Sequence, residues 1–417
     1  MSEQEIGVYT CPAGQQAHVR VGTLWAYYRR GTQSAGFMYS REWLEHPQRY
    51  ELEPALPLHA GTQYSTYALF GCMGDSAPDR WGRTLMRRAE RNHAAAADEP
   101  ASALTEADFL LRVEDFARQG ALRYSCDGGK NFLHNAGQHA VPPFIRLPEL
   151  MHAADRLCRD DAFSTDLQLL LAPGSSLGGA RPKASVLNEA GDLCIAKFSK
   201  HDDEYSLIAW EAVALQLAQL AGLKVPEHKL ITVQGKHVLL LRRFDRTANG
   251  GRLPYISTMT LLNAADNESH GYDELADMLP TVAVDPRGDL LELWERIVFG
   301  VMISNVDDHL RNHGLLRRSS AGWQLSPIFD VNPTPQDIRP RKLSTAIFAG
   351  ENAASLELAK ELAEFYGIRR DKCLQSLKRI ASAVSSWRTV AARMGIPRSE
   401  QERMASAFEH EDGYAAL

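Results

Sequence analysis

The sequence predicts an α+β fold with two lobes, preceded by an N-terminal α/β domain. Alternating apolar runs open the chain, a glycine-rich loop leads into a strand hairpin near its middle, and the sequence after Thr258 is mostly helical. The length of 417 residues exceeds one ordinary core. We therefore expect an N-terminal α/β domain at 1–143, a lobe with the glycine-rich loop at 144–253 and a helical lobe at 254–417.

The composition is that of an ordinary soluble protein, with 44% apolar and 24% charged residues. The apolar run Ile297–Ile303 is far too short to span a membrane. A net charge of −6 and a pI near 6.2 disfavour direct nucleic-acid binding as the main activity, although a local basic patch stays possible. The six cysteines are scattered without a C-x-x-C pair, which is typical of reduced thiols in a cytoplasmic protein.

Strand and helix signals follow one another in the first part of the chain. Residues 17–24 and 35–39 are expected to pair as strands around a turn at Arg30-Gly31. A helix is expected to begin near Ser76, with Ser76 as the cap and Asp79 completing a capping-box-like pattern. The arginines that follow are interpreted as a solvated face in preference to a ligand site.

Two further features precede the middle of the chain. Residues 105–108 are expected to open a second helix. From 127 to 143 the composition shifts to Gly, Asn, His and Pro with little periodicity. This segment is expected to be the main linker or a long surface loop.

A glycine-rich loop at 173–183 leads into a hairpin whose strands, 184–187 and 193–198, flank a turn at 188–192. Glycines let backbone N–H groups approach phosphate oxygens, and a strand lysine places a point charge between phosphates. Neither the Walker pattern nor G-x-G-x-x-G is present, so a plain turn remains the alternative. The residues expected at a nucleotide here are Ser176, Gly178, Gly179, Lys183 and Lys197.

Two later segments extend this nucleotide-site hypothesis. Helix 204–220 carries Glu211, which follows Lys197 in the order of a kinase lysine–glutamate pair; a solvated glutamate is the alternative. The apolar strand 238–246 ends at Phe244 and Asp245, which we assign to the nucleotide, with Asp245 accepting hydrogen bonds from ribose hydroxyls. A buried strand with a solvated end explains its apolar half equally well.

A cluster of polar residues follows the apolar helix expected at 290–304. Asp307 and Asn312 lie five residues apart, and Asp330 follows an expected hairpin. Phosphoryl transfer uses a carboxylate to orient the attacking hydroxyl and take its proton, and Mg²⁺ prefers hard oxygen ligands. The pattern predicts Asp307 as the catalytic base and Asn312 and Asp330 as Mg²⁺ ligands in an ATP-dependent phosphotransferase.

A metal-hydrolase centre is one alternative for the same loop. It would use Asp307, Asp308, His309 and His313, but no second histidine-rich segment supports it. A polar loop without chemistry is the other alternative. That reading does not explain why a glycine-rich loop, a strand lysine, a helix glutamate, D-x-x-x-x-N and a late aspartate occur in kinase order.

At these motifs the sequence resembles the HipA family of bacterial serine/threonine kinases, the toxins of toxin–antitoxin pairs. The resemblance implies a bilobal protein-kinase-like core, with Asp307 catalytic, His309 as an active-site neighbour and Lys197 on the ATP phosphates. Asn312 and Asp330 would bind Mg²⁺. The motifs that carry the resemblance are Val21–Leu24, Pro78–Arg83, Ser176–Lys183, Arg243–Arg246, Asn305–Asn312 and Leu325–Asp330.

The resemblance also implies regulation and partners. Ser176 would be autophosphorylated, with Ser175 as the neighbouring alternative, and phosphoserine would add about −1.5 to −2 charges beside the ATP phosphates. A helix-turn-helix antitoxin (HipB-like) would be the partner and the indirect route to DNA, and an aminoacyl-tRNA synthetase a possible substrate. Asp308, where some members have Gly, has no assigned role. The rival functions are a small-molecule kinase resembling aminoglycoside phosphotransferases and a nucleotide-binding pseudokinase that acts as a corepressor scaffold.

Overall fold

The computed structural model describes residues 2–12, 17–135, 141–174, 179–266 and 268–412, and its fold is α+β, as predicted. Within these ranges, no helix is both long and apolar enough to cross a lipid bilayer. The strands are β1 Ser2–Thr10, β2 Val19–Arg29, β3 Thr32–Tyr39, β4 Gln63–Tyr64, β5 Arg123–Ser125, β6 Lys183–Leu187, β7 Leu193–Phe198, β8 His228–Val233, β9 Lys236–Arg242, β10 Tyr255–Ser257, β11 Gly314–Ser319 and β12 Gly322–Leu325. The helices are α1 Arg41–Glu45, α2 Gly71–Gly74, α3 Arg80–Ala97, α4 Glu106–Leu111, α5 Leu147–Cys158, α6 Ser164–Gly174, α7 Leu207–Leu220, α8 Thr258–Leu261, α9 Glu274–Val282, α10 Pro286–Met302, α11 Leu356–Phe365, α12 Arg370–Val384, α13 Trp387–Arg393 and α14 Arg398–Phe408.

The strands of the described residues form three sheets, with the orders β4-β3-β2-β1-β5, β6-β7-β9-β8 and β10-β11-β12. The predicted strand pair of the first sheet is confirmed, because β2 and β3 run antiparallel. Arg30 and Gly31 between them both have positive φ, 51° and 82°, as a two-residue type I′ turn requires. β1 was not predicted. It lies between β2 and β5, and its alternate residues Ile6 and Val8 are fully buried.

The helix expected after Ser76 forms, but a different residue caps it. α3 begins at Arg80, and the side chain of Asp79 accepts a hydrogen bond from the Gly82 N–H. Ser76 is buried and donates its hydroxyl to the Met73 carbonyl over 2.8 Å. Its hydroxyl therefore closes the preceding turn, and the prediction of Ser76 as the cap is wrong.

Two other local predictions are confirmed. The helix expected at 105–108 is α4, opened by a capping box in which Thr105 and Asp108 each bond to the other's backbone N–H. The hairpin of β6 and β7 turns where the sequence indicates. There the Asn188 side chain accepts from the backbone N–H of Ala190 and of Asp192, at 3.0 Å and 2.7 Å.

The segment expected as a linker at 127–143 is partly joined to the second sheet. Residues 136–140 lie outside the described residues. After them, Val141 is buried, the Pro142 carbonyl accepts from the Leu187 N–H over 3.0 Å, and Pro143 forms a parallel bridge with Leu187. The C-terminal end of this segment is thus an extension of the sheet at β6.

Contacts divide the chain into two compact units. The first comprises 1–202, 232–256 and 317–320, and the second comprises 203–231, 257–316 and 321–417. The second unit is mainly helical, as expected for the C-terminal part of the chain, and α7 belongs to it. The predicted boundaries at 143 and 253 stay a prediction.

The core of the second unit is built on α10 and on an aromatic cluster. α10 is buried along most of its length, as the wide apolar stripe predicts, and the Trp294 indole N–H donates to the Ala359 carbonyl over 2.6 Å. The rings of Trp387 and Phe408 stack at 4.6 Å, and Trp210 of α7 lies against both. Residues 370–393 form two helices, α12 and α13, and not one continuous helix. The Ser385 and Ser386 hydroxyls between them bond back to carbonyls three residues earlier.

Candidate active site

The loop at 305–313 begins where α10 ends. Ser304 is fully buried with φ at 52°, a left-handed conformation that is uncommon for a residue other than glycine. The next residue, Asn305, donates its backbone N–H to the Gly300 carbonyl over 2.8 Å. The Ser304 conformation and the Asn305 hydrogen bond end the helix, and the loop follows α10 directly, as the sequence predicts.

Hydrogen bonds from three other segments of the second unit hold this loop. The Asn305 side-chain oxygen accepts from the Asn332 N–H over 3.0 Å, which ties the loop to the segment after Asp330. The other bonds run from Ser344 N–H to the Val306 carbonyl, from Thr345 N–H to the Asp308 carbonyl, from Thr258 N–H to the His313 carbonyl and from the Thr258 hydroxyl to the Leu310 carbonyl. The backbone that carries Asp307 and Asn312 is therefore fixed from several sides.

Asp307 points its side chain to solvent. The side chain is 63% exposed, and its Oδ1 accepts from the Arg339 guanidinium over 3.0 Å. Asn312, which is buried, donates its side-chain N–H to the Asp307 backbone carbonyl over 3.3 Å. The five-residue spacing thus brings the Asn312 amide against the backbone of Asp307 and leaves the Asp307 carboxylate accessible.

Asp308 points the opposite way, into the protein. Its Oδ2 accepts from the Tyr272 hydroxyl over 2.6 Å and lies 3.1 Å from His313 Nε2. Tyr272 is itself held, because the Tyr366 hydroxyl donates to its backbone carbonyl over 2.6 Å. Burial alone would raise the pKa of Asp308, but the His313 imidazole and the hydrogen bonds from His313 and Tyr272 outweigh it and lower that pKa. The structure therefore gives Asp308 a role in holding the loop.

The two histidines of the loop differ in their surroundings. His309 is half-buried and precedes the 3-10 turn Leu310–Asn312, whereas His313 is buried beside Asp308. In the part of the chain that is described, neither Nδ1 atom has a hydrogen-bond partner. Because Asp308 and His313 bind each other and Tyr272, this placement does not support the metal-hydrolase alternative.

Asp330 is half-buried and has φ at 57°. A left-handed conformation at a residue other than glycine carries strain, and such strain is concentrated at functional sites. The segment that precedes Asp330 is held by hydrogen bonds within the second unit. The Arg296 guanidinium donates to the Ser326 carbonyl over 2.6 Å, and the Ile328 N–H donates to the Lys224 carbonyl over 2.8 Å.

The residues predicted to bind the nucleotide do not all lie in the same part of the described structure. Ser176 and Gly178 lie outside the described residues. Lys197 is buried on β7 of the first unit, and Glu211 is buried on α7 of the second, so their pairing stays a prediction. Gly179 has φ at 86° and is exposed at the end of the loop.

Lys183 makes a different contact from the one predicted. Its side chain is 4% exposed, and its Nζ lies 3.2 Å from Asp79 Oδ2 at the start of α3. Burial raises the pKa of the Asp79 carboxyl, and the nearby Lys183 ammonium opposes that rise. The Lys183 ammonium is thus engaged inside the protein, and the prediction that it binds nucleotide is not supported by its position.

Asp245 is also engaged inside the first unit. Its carboxylate accepts from Arg243 Nε, Arg246 Nη1 and the Gly120 N–H, at 2.7 to 2.8 Å, and the residue is 1% exposed. The Asp245 oxygens therefore do not reach a ribose, and the prediction of Asp245 as a nucleotide ligand is corrected to a buried structural role. Phe244 is half-buried, with its ring 6.5 Å from that of Tyr255, and its assignment to the nucleotide stays a prediction.

Two family models match the chain. The HipA-like C-terminal domain matches residues 175–388, which is more than half of the chain, and the HipA N-terminal domain matches residues 16–107. The chain belongs to the HipA family. This confirms the resemblance seen in the motifs, and the C-terminal match includes the whole loop at 305–313 and Asp330.

The chain is also similar to two known proteins. A Haemophilus influenzae protein named "Putative kinase" is 24% identical over 221 residues, which are 46% of this chain and 63% of that protein, less than two thirds of its length. A solved Shewanella oneidensis MR-1 structure, of the toxin–antitoxin system HipA, HipB and operator DNA, matches with a TM-score of 0.69 and 16% identity. That match covers 99% of this chain and 96% of the other. At this identity the likeness shows a shared fold, which confirms the predicted kinase-like architecture.

Three residues that contact the site residues of this HipA family member were not predicted. Arg339 and Tyr272 reach the loop from segments 32 and 36 residues away, and Asp79 reaches Lys183 across 104 residues. Asp79 lies in a motif that the sequence singles out, Pro78–Arg83, so the motif was the available signal. No comparable signal marks Arg339 or Tyr272.

Proposed function

We propose that this HipA family chain is an ATP- and Mg²⁺-dependent protein serine/threonine kinase, the toxin of a toxin–antitoxin pair. One observation carries the proposal. Of the two adjacent acids in the loop, Asp307 turns its carboxylate to solvent on a backbone that is held from several sides, while Asp308 is buried. A substrate hydroxyl can reach only the first, and a kinase needs one accessible carboxylate at this position.

The proposed chemistry assigns Asp307 two tasks. Its carboxylate accepts a hydrogen bond from the acceptor hydroxyl and takes its proton while the hydroxyl oxygen bonds to the γ-phosphorus of ATP. The bond to the β–γ bridging oxygen breaks, and ADP leaves. Asn312 supports this arrangement through its hydrogen bond to the Asp307 carbonyl. His309, which precedes the turn that carries Asn312, is proposed as an active-site neighbour.

The donor chemistry of two residues fits Mg²⁺. Asn312 and Asp330 present an amide and a carboxylate oxygen, which are hard ligands, and the left-handed backbone at Asp330 is a strained conformation typical of functional positions. When bound, Mg²⁺ would neutralise charge on the ATP phosphates. On the nucleotide side we assign Lys197, Glu211, Gly178, Gly179 and Phe244, and Ser176 as the site of autophosphorylation.

The proposed partners follow from the family. The Shewanella oneidensis structure contains HipA with HipB and operator DNA. We propose that this chain likewise binds a helix-turn-helix antitoxin and reaches DNA through it, which suits a net charge of −6. A protein of the translation machinery such as an aminoacyl-tRNA synthetase is the proposed substrate, and the cytoplasm the proposed location.

Phosphate mapping by mass spectrometry tests this proposal. The purified chain is incubated with Mg-ATP, and we expect phosphate on Ser176, which Ser176→Ala abolishes. Asp307→Asn should slow its appearance about a hundredfold to ten-thousandfold, the range for loss of a general base. Asp277→Asn, an exposed carboxylate on α9, is the matched control and should leave the rate unchanged.

Three results would count against the proposal. An unchanged rate in Asp307→Asn removes the catalytic assignment. ATP turnover on a metabolite panel without any phosphoprotein favours the small-molecule kinase. Binding of Mg-ATP in a calorimetric titration without phosphate transfer to any acceptor favours the nucleotide-binding pseudokinase scaffold.

A further inference from the structure

The start of α3 contacts Gly179 and Lys183, two residues in the C-terminal part of the glycine-rich loop. Asp79 uses one carboxylate oxygen to cap α3, and its other oxygen lies 3.2 Å from Lys183 Nζ. Trp81 donates its indole N–H to the Lys183 carbonyl over 2.9 Å and its backbone N–H to the Gly179 carbonyl over 3.4 Å. One helical turn therefore holds Gly179 at the loop end and Lys183 at the start of β6.

These contacts are buried, which makes them specific. The side chains of Asp79 and Lys183 are 12% and 4% exposed, and Trp81 is buried. Removing one partner of a buried ion pair leaves an uncompensated charge away from water, which is strongly unfavourable. The exit of the glycine-rich loop is thus tied to α3 by an interaction that is costly to break.

The anchored residue Lys183 is also the first residue of the β6–β7 hairpin. Lys183 is the Cα partner of Lys197 at the first rung of the β6–β7 ladder, and the Phe198 N–H donates to the Pro182 carbonyl over 3.0 Å. Asp79 lies in the part matched by the HipA N-terminal domain, whereas Gly179, Lys183 and Lys197 lie in the part matched by the C-terminal domain. The anchor is therefore a contact from one family domain to the other.

We propose that Asp79 and Trp81 are positioning residues for nucleotide binding, because they fix the exit of the glycine-rich loop beside Lys197. This rests on the proposed kinase function. A phosphate-binding loop is effective when its backbone is held in place before the ligand arrives, since ordering it afterwards costs binding free energy. Loss of the anchor should weaken ATP binding more than it slows the chemical step.

Three variants separate this role from general stability. Asp79→Asn keeps a good helix cap but removes the charge opposite Lys183. Trp81→Phe keeps an aromatic side chain, although a smaller one, and removes the indole N–H. Glu106→Gln is the matched control, because Glu106 forms a bidentate ion pair with Arg83 of the same helix, with both distances at 2.6 Å.

Two measurements are made on the full chain. Hydrogen exchange of the amides in 179–187, which needs no enzymatic activity, should speed up about tenfold in Asp79→Asn and Trp81→Phe and stay unchanged in Glu106→Gln. Phosphorylation kinetics should show KM for ATP raised about tenfold with kcat within about twofold in the first two variants only.

Each result decides a separate claim. Unchanged hydrogen exchange of residues 179–187 in Asp79→Asn overturns the claim that Asp79 anchors the exit of the glycine-rich loop. Faster exchange with an unchanged KM for ATP, or equal effects in Glu106→Gln, overturns the positioning role. If the unmodified chain binds no ATP, the proposed function fails and the positioning role fails with it, while the exchange result still judges the anchor.

Discussion

The Arg339 guanidinium donates a hydrogen bond to the Asp307 carboxylate over 3.0 Å, and both side chains are more than half exposed. The same carboxylate is the group that a substrate hydroxyl would use under the proposed function. Exposed ion pairs of this kind contribute about 0 to 1 kcal/mol. An acceptor can therefore displace Arg339 at a small cost.

Replacing Arg339 should make the proposed kinase slightly better at using its acceptor. For Arg339→Gln we expect kcat/KM for the acceptor to rise about two- to fivefold, because at most about 1 kcal/mol of competition is removed. The gain should shrink at high salt, where the pair is already screened. Steady-state kinetics at two ionic strengths measure it. Arg369→Gln, which breaks the exposed ion pair between Arg369 and Asp371, is the control and should leave kcat/KM unchanged. A loss of activity in Arg339→Gln alone would mean that Arg339 assists the reaction.

Features decided within a few residues could be predicted from the sequence. The turn at Arg30-Gly31, the Asn188 hairpin and the helix at α4 each depend on local side chains and backbone conformations. The contact between Asp307 and Asn312 is also local, since the two residues are five positions apart.

Features decided by distant partners could not be predicted. Asp308 is explained by Tyr272, 36 residues earlier, and Lys183 by Asp79, 104 residues earlier. Asp245 accepts from the neighbouring Arg243 and Arg246 and also from the Gly120 N–H, 125 residues earlier. In each case the residue type suggested a ligand, but the fold supplies a protein partner instead. A charged residue beside a motif therefore gives no indication of whether it faces a substrate or the core.

The buried Asp308 carboxylate should stabilise the folded state above about pH 4. Because the folded-state pKa of Asp308 lies below its ordinary value of about 3.9, its contribution is present above that value and is lost as the pH falls through the folded pKa. Asp308→Asn should therefore destabilise the second unit by about 3 to 5 kcal/mol at pH 7, the usual cost of removing one partner of a buried pair. Thermal melting from pH 7 down to pH 3 measures this difference, which should shrink below about pH 4. A difference that is constant with pH would contradict the stabilising role of the ionised Asp308 carboxylate.

Glu53 should make the stability of the N-terminal part of the chain fall as the pH rises, which is the opposite of the effect expected from Asp308. This glutamate is buried and accepts from the Cys72 N–H over 2.6 Å, and burial raises its pKa to about 7. The folded state keeps the proton between about pH 4.5 and 7 while the unfolded state loses it, so stability falls over that range by about 3 kcal/mol. Glu53→Gln should remove this fall, seen as a higher melting temperature than the unmodified chain at pH 8 and an equal one at pH 5. Glu51→Gln, at an exposed neighbour, is the control and should change neither value.

A substitution at Asp245 tests whether its carboxylate stabilises the fold or binds the nucleotide. Its carboxylate accepts from Arg243, Arg246 and the Gly120 N–H, and Asp245→Asn would leave the guanidinium groups of Arg243 and Arg246, 4% and 9% exposed, without their anion. We expect a loss of about 3 to 5 kcal/mol in the free energy of unfolding of the first unit, measured by denaturant titration. At a temperature where the variant is still folded, KM for ATP should be unchanged, because the carboxylate is buried. A raised KM for ATP without a loss of stability would restore Asp245 as a nucleotide ligand.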